Sequence, residues 1–150
     1  MEQEFYFKQE KPYTCGAAST RMVLSSLGIN KSEMEVENEL RTNNIRGTWT
    51  YSFAKLLKKY NLTFVEKSNF NINELKKLLE DGYKIIVCFF TEDTKEDHYS
   101  VVKKIDDKDI YFLDPFFGPE HKLSLEYFDK VWHSDHRFED VKKWLIAVKK

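Results

Sequence analysis

The sequence predicts an α+β fold in which a helical N-terminal half packs on a mostly antiparallel β-sheet. Apolar residues recur at helical spacing between residues 15 and 82, whereas the second half opens with the continuous apolar run KIIVCFF at residues 84–90 and continues with further strand-like segments. Helices first and strands afterwards are typical of α+β proteins, because βαβ folds alternate the two. The 150 residues contain no linker-like stretch, so we expect a single domain over residues 1–150.

Four helices are predicted in the first half, and each has a local start or stop signal. Two of them begin with a capping box, in which a cap side chain and a glutamate three residues later satisfy each other's backbone N–H groups. Two of them end at a glycine, which adopts the left-handed conformation readily. The signals are Gly28 for the first helix, Ser32 with Glu35 for the second, Thr50 for the third, and Asn71, Glu74 and Gly82 for the fourth.

The second half predicts a sheet with one short helix. The run at 84–90 is rich in β-branched and aromatic residues, as expected for a central buried strand. A hairpin follows, whose turn contains three aspartates and a lysine. The remaining predictions are strands at 98–105, 110–114 and 144–148, a loop bracketed by Asp114-Pro115 and Gly118-Pro119, and a helix after Ser124.

Composition limits the possible function classes. Lys and Arg number 24 against 25 Asp and Glu, so no basic field favours nucleic acid as a partner. The N-terminal segment lacks the basic and apolar regions of a secretory signal, and no apolar run approaches the about 18 residues that span a membrane. We therefore expect a cytoplasmic protein without a membrane-spanning part, whose two cysteines stay reduced.

Cys15 lies at the predicted first turn of the first helix, within the segment QEKPYTCGAAST at residues 9–20. Unpaired N–H groups and the helix dipole favour negative charge there, which lowers the pKa of a thiol and raises the thiolate fraction. Gly16 has no side chain, so the sulfur would stay open to a substrate. From this segment alone, a cysteine that only packs at a helix start remains the alternative.

His98 and Asp114 stand at the same end of the predicted hairpin and complete a nucleophile–base–orienter set with Cys15. If Ile105 pairs with Ile110, strict alternation places Asp114 on the face of Val101 and not on that of His98. The two side chains share a face only if the hairpin has an odd-length turn or a β-bulge. We therefore predict one of these. An ordinary strand-end histidine and a turn-starting aspartate are the alternatives.

Two further side chains are candidates for the site. Gln9 precedes Cys15 by six residues, and its amide could donate to an oxyanion together with the Cys15 backbone N–H. A solvated surface glutamine is the alternative. Trp49 follows Gly47 and Thr48 on a loop expected to face the cleft. It is either a core anchor or a platform for substrate.

These motifs, in this order, resemble the bacteriocin-processing double-glycine leader peptidases, a papain-like family of cysteine peptidases. The resemblance runs over nearly the whole chain. It implies a papain-like fold with Cys15 as nucleophile, His98 as general base and acid, Asp114 as orienter and Gln9 as oxyanion donor. Separately, we expect Gly16, Gly47 and Trp49 to bind substrate. The matching segments are Gln9 with EKPYTCGAASTRMVL (10–24), Gly47-Thr48, DHYSVVKKID (97–106), YFLDPFFG (111–118), FDKVW (128–132) and WLIAV (144–148).

The resulting prediction is thiol-dependent hydrolysis of peptide bonds after small residues, of the Gly-Gly leader type, in a narrow slot beside Gly16 and Ala17. The substrate would be a peptide or protein, and no cofactor or metal is predicted. Many members of the family form the front of an export transporter, whereas this chain has no membrane part. The alternatives are a peptide or amide transferase resembling phytochelatin synthases, and a peptide-binding module that kept the fold.

Other polar groups are assigned lesser roles. The acidic residues just before His98 are expected to raise the pKa of that histidine and to attract basic peptides. Cys88 is expected to fill the core and His121 to lie at the surface. A solvated loop is preferred over a metal site for residues 133–136. The acidic residues are Glu92, Asp93, Glu96 and Asp97.

Overall fold

The computed structural model of the protein describes residues 5–150, which form helices and strands in the order expected of an α+β fold. None of the helices in this range is both long and apolar enough to cross a membrane. The helices are α1 (Cys15–Ser26), α2 (Glu33–Leu40), α3 (Tyr51–Lys59), α4 (Ile72–Glu80) and α5 (Leu125–Val131). The strands are β1 (Thr63–Lys67), β2 (Lys84–Thr91), β3 (Glu96–Ile105), β4 (Asp109–Asp114), β5 (Gly118–Ser124) and β6 (Leu145–Lys149).

The six strands form one sheet in the order β1-β6-β2-β3-β4-β5, and every neighbouring pair is antiparallel. Helices cover both faces of this sheet. Helices α1, α2 and α3 pack on one face, around Met22, Leu40 and Phe53. Helices α4 and α5 pack on the other, around Leu75 and Phe128. The predicted sheet is confirmed, but α4 lies on the face opposite the other N-terminal helices, so the helical half is divided by the sheet.

The predicted helix starts are confirmed in detail where the signals are local. Ser32 Oγ accepts the N–H of Glu35 while the Glu35 carboxylate accepts the N–H of Ser32, and Asn71 and Glu74 form the same capping box. Such reciprocal caps satisfy donors that a helix start leaves unpaired. Gly28 follows the end of α1 with a φ of +87°, as expected for a left-handed stop.

Two strands were not predicted, and both are edges of the sheet. Strand β1 pairs only with β6, from Thr63 opposite Lys149 to Lys67 opposite Leu145. Strand β5 begins at the end of the predicted loop, at Gly118, and pairs with β4. An edge strand is half exposed and carries many polar residues, so neither segment has the apolar run that identifies a buried strand.

The predicted β-bulge between β3 and β4 is confirmed. Ile105 pairs with Ile110 and Lys104 with Tyr111, but the next pairs are Val102 with Phe112 and Val101 with Leu113. Lys103 is therefore the extra residue, and it shifts the register by one. Continuing the shifted register brings Asp114 level with residue 100 and onto the face that carries His98.

Candidate active site

Cys15 is the first residue of α1, and its sulfur faces strand β3. Tyr99 donates its backbone N–H to Cys15 Sγ at 3.5 Å. Thr14 precedes the helix, but its hydroxyl bonds to the turn at Lys11, so no side chain caps the first turn of α1. The sulfur therefore lies at an uncapped helix N-terminus and within reach of one backbone N–H group. Cys15 is half-buried and is a free cysteine.

His98 and Asp114 form a buried pair beside this sulfur. His98 Nε2 lies 2.8 Å from Asp114 Oδ1, and Asp114 is fully buried. The same oxygen accepts the backbone N–H groups of Phe116 and Phe117, each at 2.8 Å. These bonds hold the carboxylate at the end of β4, where the bulge has turned it toward the imidazole. Oδ1 thus holds the Nε2 side of the His98 ring.

The pKa values of His98 and Asp114 both depart from their ordinary values. Burial alone would lower the pKa of His98, but the negative charges on Cys15 and Asp114 outweigh it and raise that pKa to about 10. For Asp114, burial raises the pKa, and the charge and hydrogen bonds of His98, Phe117 and Phe116 outweigh it, so the carboxyl pKa lies below its ordinary value. The surroundings of His98 therefore favour its protonated form.

The acidic loop before His98 is not the source of the raised pKa of that histidine, whereas its attraction of basic peptides stays a prediction. The shift in the pKa of His98 arises from Cys15 and Asp114. Asp97 instead bonds to Arg46 at 2.9 Å, and Glu92 accepts the hydroxyl of Tyr127 at 2.7 Å. These two carboxylates therefore have partners of their own.

Gln9 lies in the same cleft, and its side chain is tied to the turn that precedes Cys15. Its Nε2 donates to Lys11 O at 2.9 Å and to Pro12 O at 3.2 Å, while its backbone N–H donates to Pro115 O at 2.9 Å. Gln9 Oε1 is buried without a partner. Donation to an oxyanion therefore requires the longer bond, to Pro12, to be exchanged for a bond to the substrate.

A cleft of about 390 Å³ opens over Cys15 and His98. Gln9 and Gly47 also line it, as do the exposed aromatic residues Phe116 and Phe117 next to the His98 ring. A larger cavity, of about 510 Å³, contains none of the predicted site residues. The segments that line the smaller cleft are 9–15, 44–48, 91–99, 116–117 and 135–138.

Gly16 and Trp49 do not line this cleft. A β-carbon on Gly16 would come within 2.8 Å of Thr48 Oγ1 and 3.2 Å of Tyr99 Cδ2, so glycine permits α1 to pack closely on its neighbours. Ala17 is fully buried, so the predicted slot beside these two residues is wrong. Trp49 stacks on Tyr51 at 5.8 Å and lies next to Arg46. Gly47 lines the cleft with a φ of +83°, which favours glycine.

Sequence reasoning missed a buried ion-pair network beneath the cleft. Arg46 Nη1 lies 2.9 Å from Asp97 Oδ1, and Nη2 lies 2.7 Å from Glu139 Oε1. The Arg46 side chain is only 3% exposed. Glu139 also accepts the N–H and hydroxyl of Thr50, and Asp97 Oδ2 accepts the N–H of Asp135. The network joins the loop before α3, the start of β3 and the segment before β6.

The segment at 133–136 is not the solvated loop that was predicted. Ser134 and Asp135 are buried, and Ser134 hydrogen-bonds to Glu139 and Val141. Among residues 5–150, no group of three or more His, Cys, Asp or Glu side chains could hold a metal ion. Cys88 is buried in the core as predicted, and burial raises the pKa of its thiol. His121 is half-buried and stacks on Phe117 at 4.5 Å.

Comparison with known proteins identifies the family. The model of the Peptidase_C39-like family matches residues 3–138. No curated protein sequence matches the chain.

Three solved structures are similar over nearly the whole chain. A C39-like peptidase from Bacillus anthracis has a TM-score of 0.77 at 19% identity and covers 97% of this chain and 94% of its own. The peptidase domain of Streptococcus ComA, a bifunctional ABC transporter of a quorum-sensing pathway, has a TM-score of 0.74 at 22% identity, covering 95% and 96%. A double-glycine-motif protease from an AMS/PCAT transporter, in complex with the leader peptide, has a TM-score of 0.73 at 22% identity, covering 96% and 89%. These likenesses show the papain-like fold that was predicted.

Proposed function

The chain belongs to the C39-like peptidase family and is a cysteine peptidase, and we propose that it cleaves peptide bonds after small residues of the Gly-Gly type by a Cys15–His98–Asp114 triad. The observation that carries the triad is the buried His98–Asp114 pair at 2.8 Å in the cleft that also contains Cys15, where the pKa of His98 is raised. A protein that only binds peptides does not require a protonated imidazole between a thiol and a carboxylate. The arrangement is the one that nucleophilic thiol catalysis requires.

The proposed mechanism has two steps, and each group of the triad takes part in both. The Cys15 thiolate attacks the carbonyl carbon of the scissile bond, and the carbonyl oxygen becomes an oxyanion. His98 gives its proton to the leaving amine as the C–N bond breaks, which leaves a thioester on Cys15. Neutral His98 then takes a proton from water, the hydroxide attacks the thioester, and the thiolate leaves with a carboxylic acid product. Asp114 keeps the imidazole in one tautomer and orientation through both steps.

The substrate class rests on family membership and on the solved relative that carries a leader peptide, since that protein is described as a double-glycine-motif protease. Gly16 and Ala17 contribute nothing to it, because both are buried away from the cleft. Gly47 lines the cleft and remains the glycine that we propose to contact substrate, together with the aromatic wall at Phe116 and Phe117.

A peptide panel tests the proposed function. The peptides share their flanking residues and differ only in having Gly-Gly, Ala-Ala or Leu-Leu before the scissile bond, and products are identified by mass spectrometry. We expect the Gly-Gly peptide to be cut after its second glycine at least about 100-fold faster than the Leu-Leu peptide, because the proposed double-glycine specificity requires the site to reject larger side chains. Cys15→Ala serves as the matched inactive variant.

Two outcomes contradict different parts of this proposal. Cleavage that persists in Cys15→Ala rules out the nucleophile. Equal cleavage of the Gly-Gly and Leu-Leu peptides by the wild type keeps the peptidase and removes the substrate class. A competing amine added to the same reaction separates hydrolysis from transfer, because transfer gives an amide adduct of the N-terminal product.

Gln9→Ala tests the oxyanion donor. We expect kcat to fall by about 10²–10³-fold with little change in KM, because an oxyanion donor binds the transition state and not the ground state. The measurement is steady-state kinetics on the Gly-Gly peptide. Asn44→Ala is the matched control, since Asn44 is another amide in the cleft wall but is not placed beside the nucleophile. A loss in kcat below threefold, or an equal loss in both variants, contradicts the assigned role.

A further inference from the structure

The Asp114 carboxylate is unevenly satisfied. Its Oδ1 receives three donors, from His98, Phe116 and Phe117, each at 2.8 Å. Its Oδ2 is buried and has no hydrogen-bond partner among residues 5–150. A buried carboxylate oxygen without a donor is costly, because burial removes the water that would otherwise solvate it. A donor close to Oδ2 is therefore needed to keep this carboxylate ionised and in one orientation.

Ser100 supplies a second unpaired atom. The residue is fully buried, and its hydroxyl has no hydrogen-bond partner in the described part of the chain. On one side its direct cross-strand neighbour is Val87 of β2, which offers only methyl groups. A polar side-chain partner for this hydroxyl is therefore expected on the other side, toward β4.

The bulge at Lys103 sets the residues that carry these two atoms on the same face. The shifted register ends with Val101 opposite Leu113, and continuing it by one residue would set Ser100 opposite Asp114. Directly opposite residues of an antiparallel pair share a face, with their β-carbons about 4.5–5.5 Å apart. His98 lies two residues along β3 on the same face, and Asp114 Oδ1 already leans toward it. Asp114 Oδ2 is therefore the carboxylate oxygen that remains available to Ser100.

We propose that Ser100 is a positioning residue of the triad, whose hydroxyl donates to Asp114 Oδ2 directly or through one enclosed water. The bond satisfies both unpaired atoms and fixes the rotation of the carboxylate, so that Oδ1 stays directed at His98 Nε2. The register shift then has two consequences: it places Asp114 on the face of His98, and it provides the hydroxyl that holds Asp114 there. Ser100 acts on the chemistry only through Asp114, and its effect on catalysis rests on the proposed function.

A double-mutant cycle tests this inference. We expect Ser100→Ala to lower kcat on the Gly-Gly peptide about 10-fold with KM unchanged, as a bond to a charged group is lost. In an Asp114→Ala background the same substitution is expected to change kcat by less than twofold, because its target is gone. Ser100→Thr, which keeps the hydroxyl, should restore most of the activity. An equal loss in both backgrounds overturns the proposal, since it indicates a packing effect.

Two further measurements distinguish this proposal from a general packing effect and from the proposed function. Ser19→Ala is the matched control, because Ser19 is equally buried but bonds to Tyr99 O at 3.4 Å, and we expect it to leave kcat within twofold. A high-resolution crystal structure of the wild type does not depend on activity. It should show Ser100 Oγ about 2.6–3.2 Å from Asp114 Oδ2, or both atoms within that distance of one water. A Ser100 hydroxyl bonded to a backbone carbonyl overturns the proposal even in an active enzyme, whereas a wild type that cuts no peptide contradicts only the proposed function.

Discussion

Replacing His98 by alanine is expected to lower kcat/KM by about 10⁴-fold and to remove the alkaline limb of the pH–rate profile. His98 holds the proton that the leaving amine must receive, and its pKa is raised to about 10 by the negative charges on Cys15 and Asp114. The wild type should therefore keep the proton donor at neutral pH and lose activity only as the pH rises toward 10. The alanine variant has no such donor to lose, so its residual rate should show no fall in that range.

The measurement is kcat/KM between pH 5 and 11 on the Gly-Gly peptide, with circular dichroism to verify folding. His136→Ala is the matched control, because His136 is an exposed histidine whose ring stacks on His133 outside the cleft. It should retain the wild-type profile. A His98→Ala variant within 10-fold of wild type, or a wild-type alkaline limb near pH 7, contradicts the buried ion pair.

The helices were predictable because their signals are local. Each capping box lies within four consecutive residues, so the Ser32 and Asn71 starts follow from the sequence without any tertiary contact. The bulge between β3 and β4 was predictable for a different reason. Placing His98 and Asp114 on one face required one extra residue. The catalytic hypothesis therefore predicted the bulge, which the periodicity of the residues alone did not.

The missed features depend on tertiary contacts. Strands β1 and β5 are sheet edges, and their half-exposed residues show neither a buried run nor a clean alternation. The Arg46 network joins residues at positions 46, 97 and 139, and each of them looks like an ordinary surface charge in its own segment. Ser100 also looked unremarkable, because its neighbours on the face become known only with the register of both adjacent strands.

Replacing Arg46 by alanine is expected to lower the free energy of unfolding by about 3–5 kcal/mol, because it leaves two buried carboxylates without their counter-charge. Asp97 and Glu139 have side chains that are only 7% and 10% exposed, so water cannot replace the guanidinium. Domains of this kind are stable by only about 5–15 kcal/mol, so the loss is a large share of the total. Arg46→Lys should recover part of it, since one ammonium keeps the charge but cannot bond to both carboxylates.

Denaturation by urea, followed by tryptophan fluorescence, measures this loss, and Arg137→Ala provides the matched control. Arg137 also pairs with a carboxylate at the cleft, Asp135 at 2.7 Å, but its side chain is 68% exposed. Solvent screens that pair, so its removal should be far less destabilising than the removal of Arg46. Because the Arg46 network anchors Asp97 directly before His98, the variant should also lose peptidase activity at temperatures where it is still folded. If the two arginine variants unfold at the same urea concentration, the network does not stabilise the fold, and the position of His98 must depend on the sheet alone.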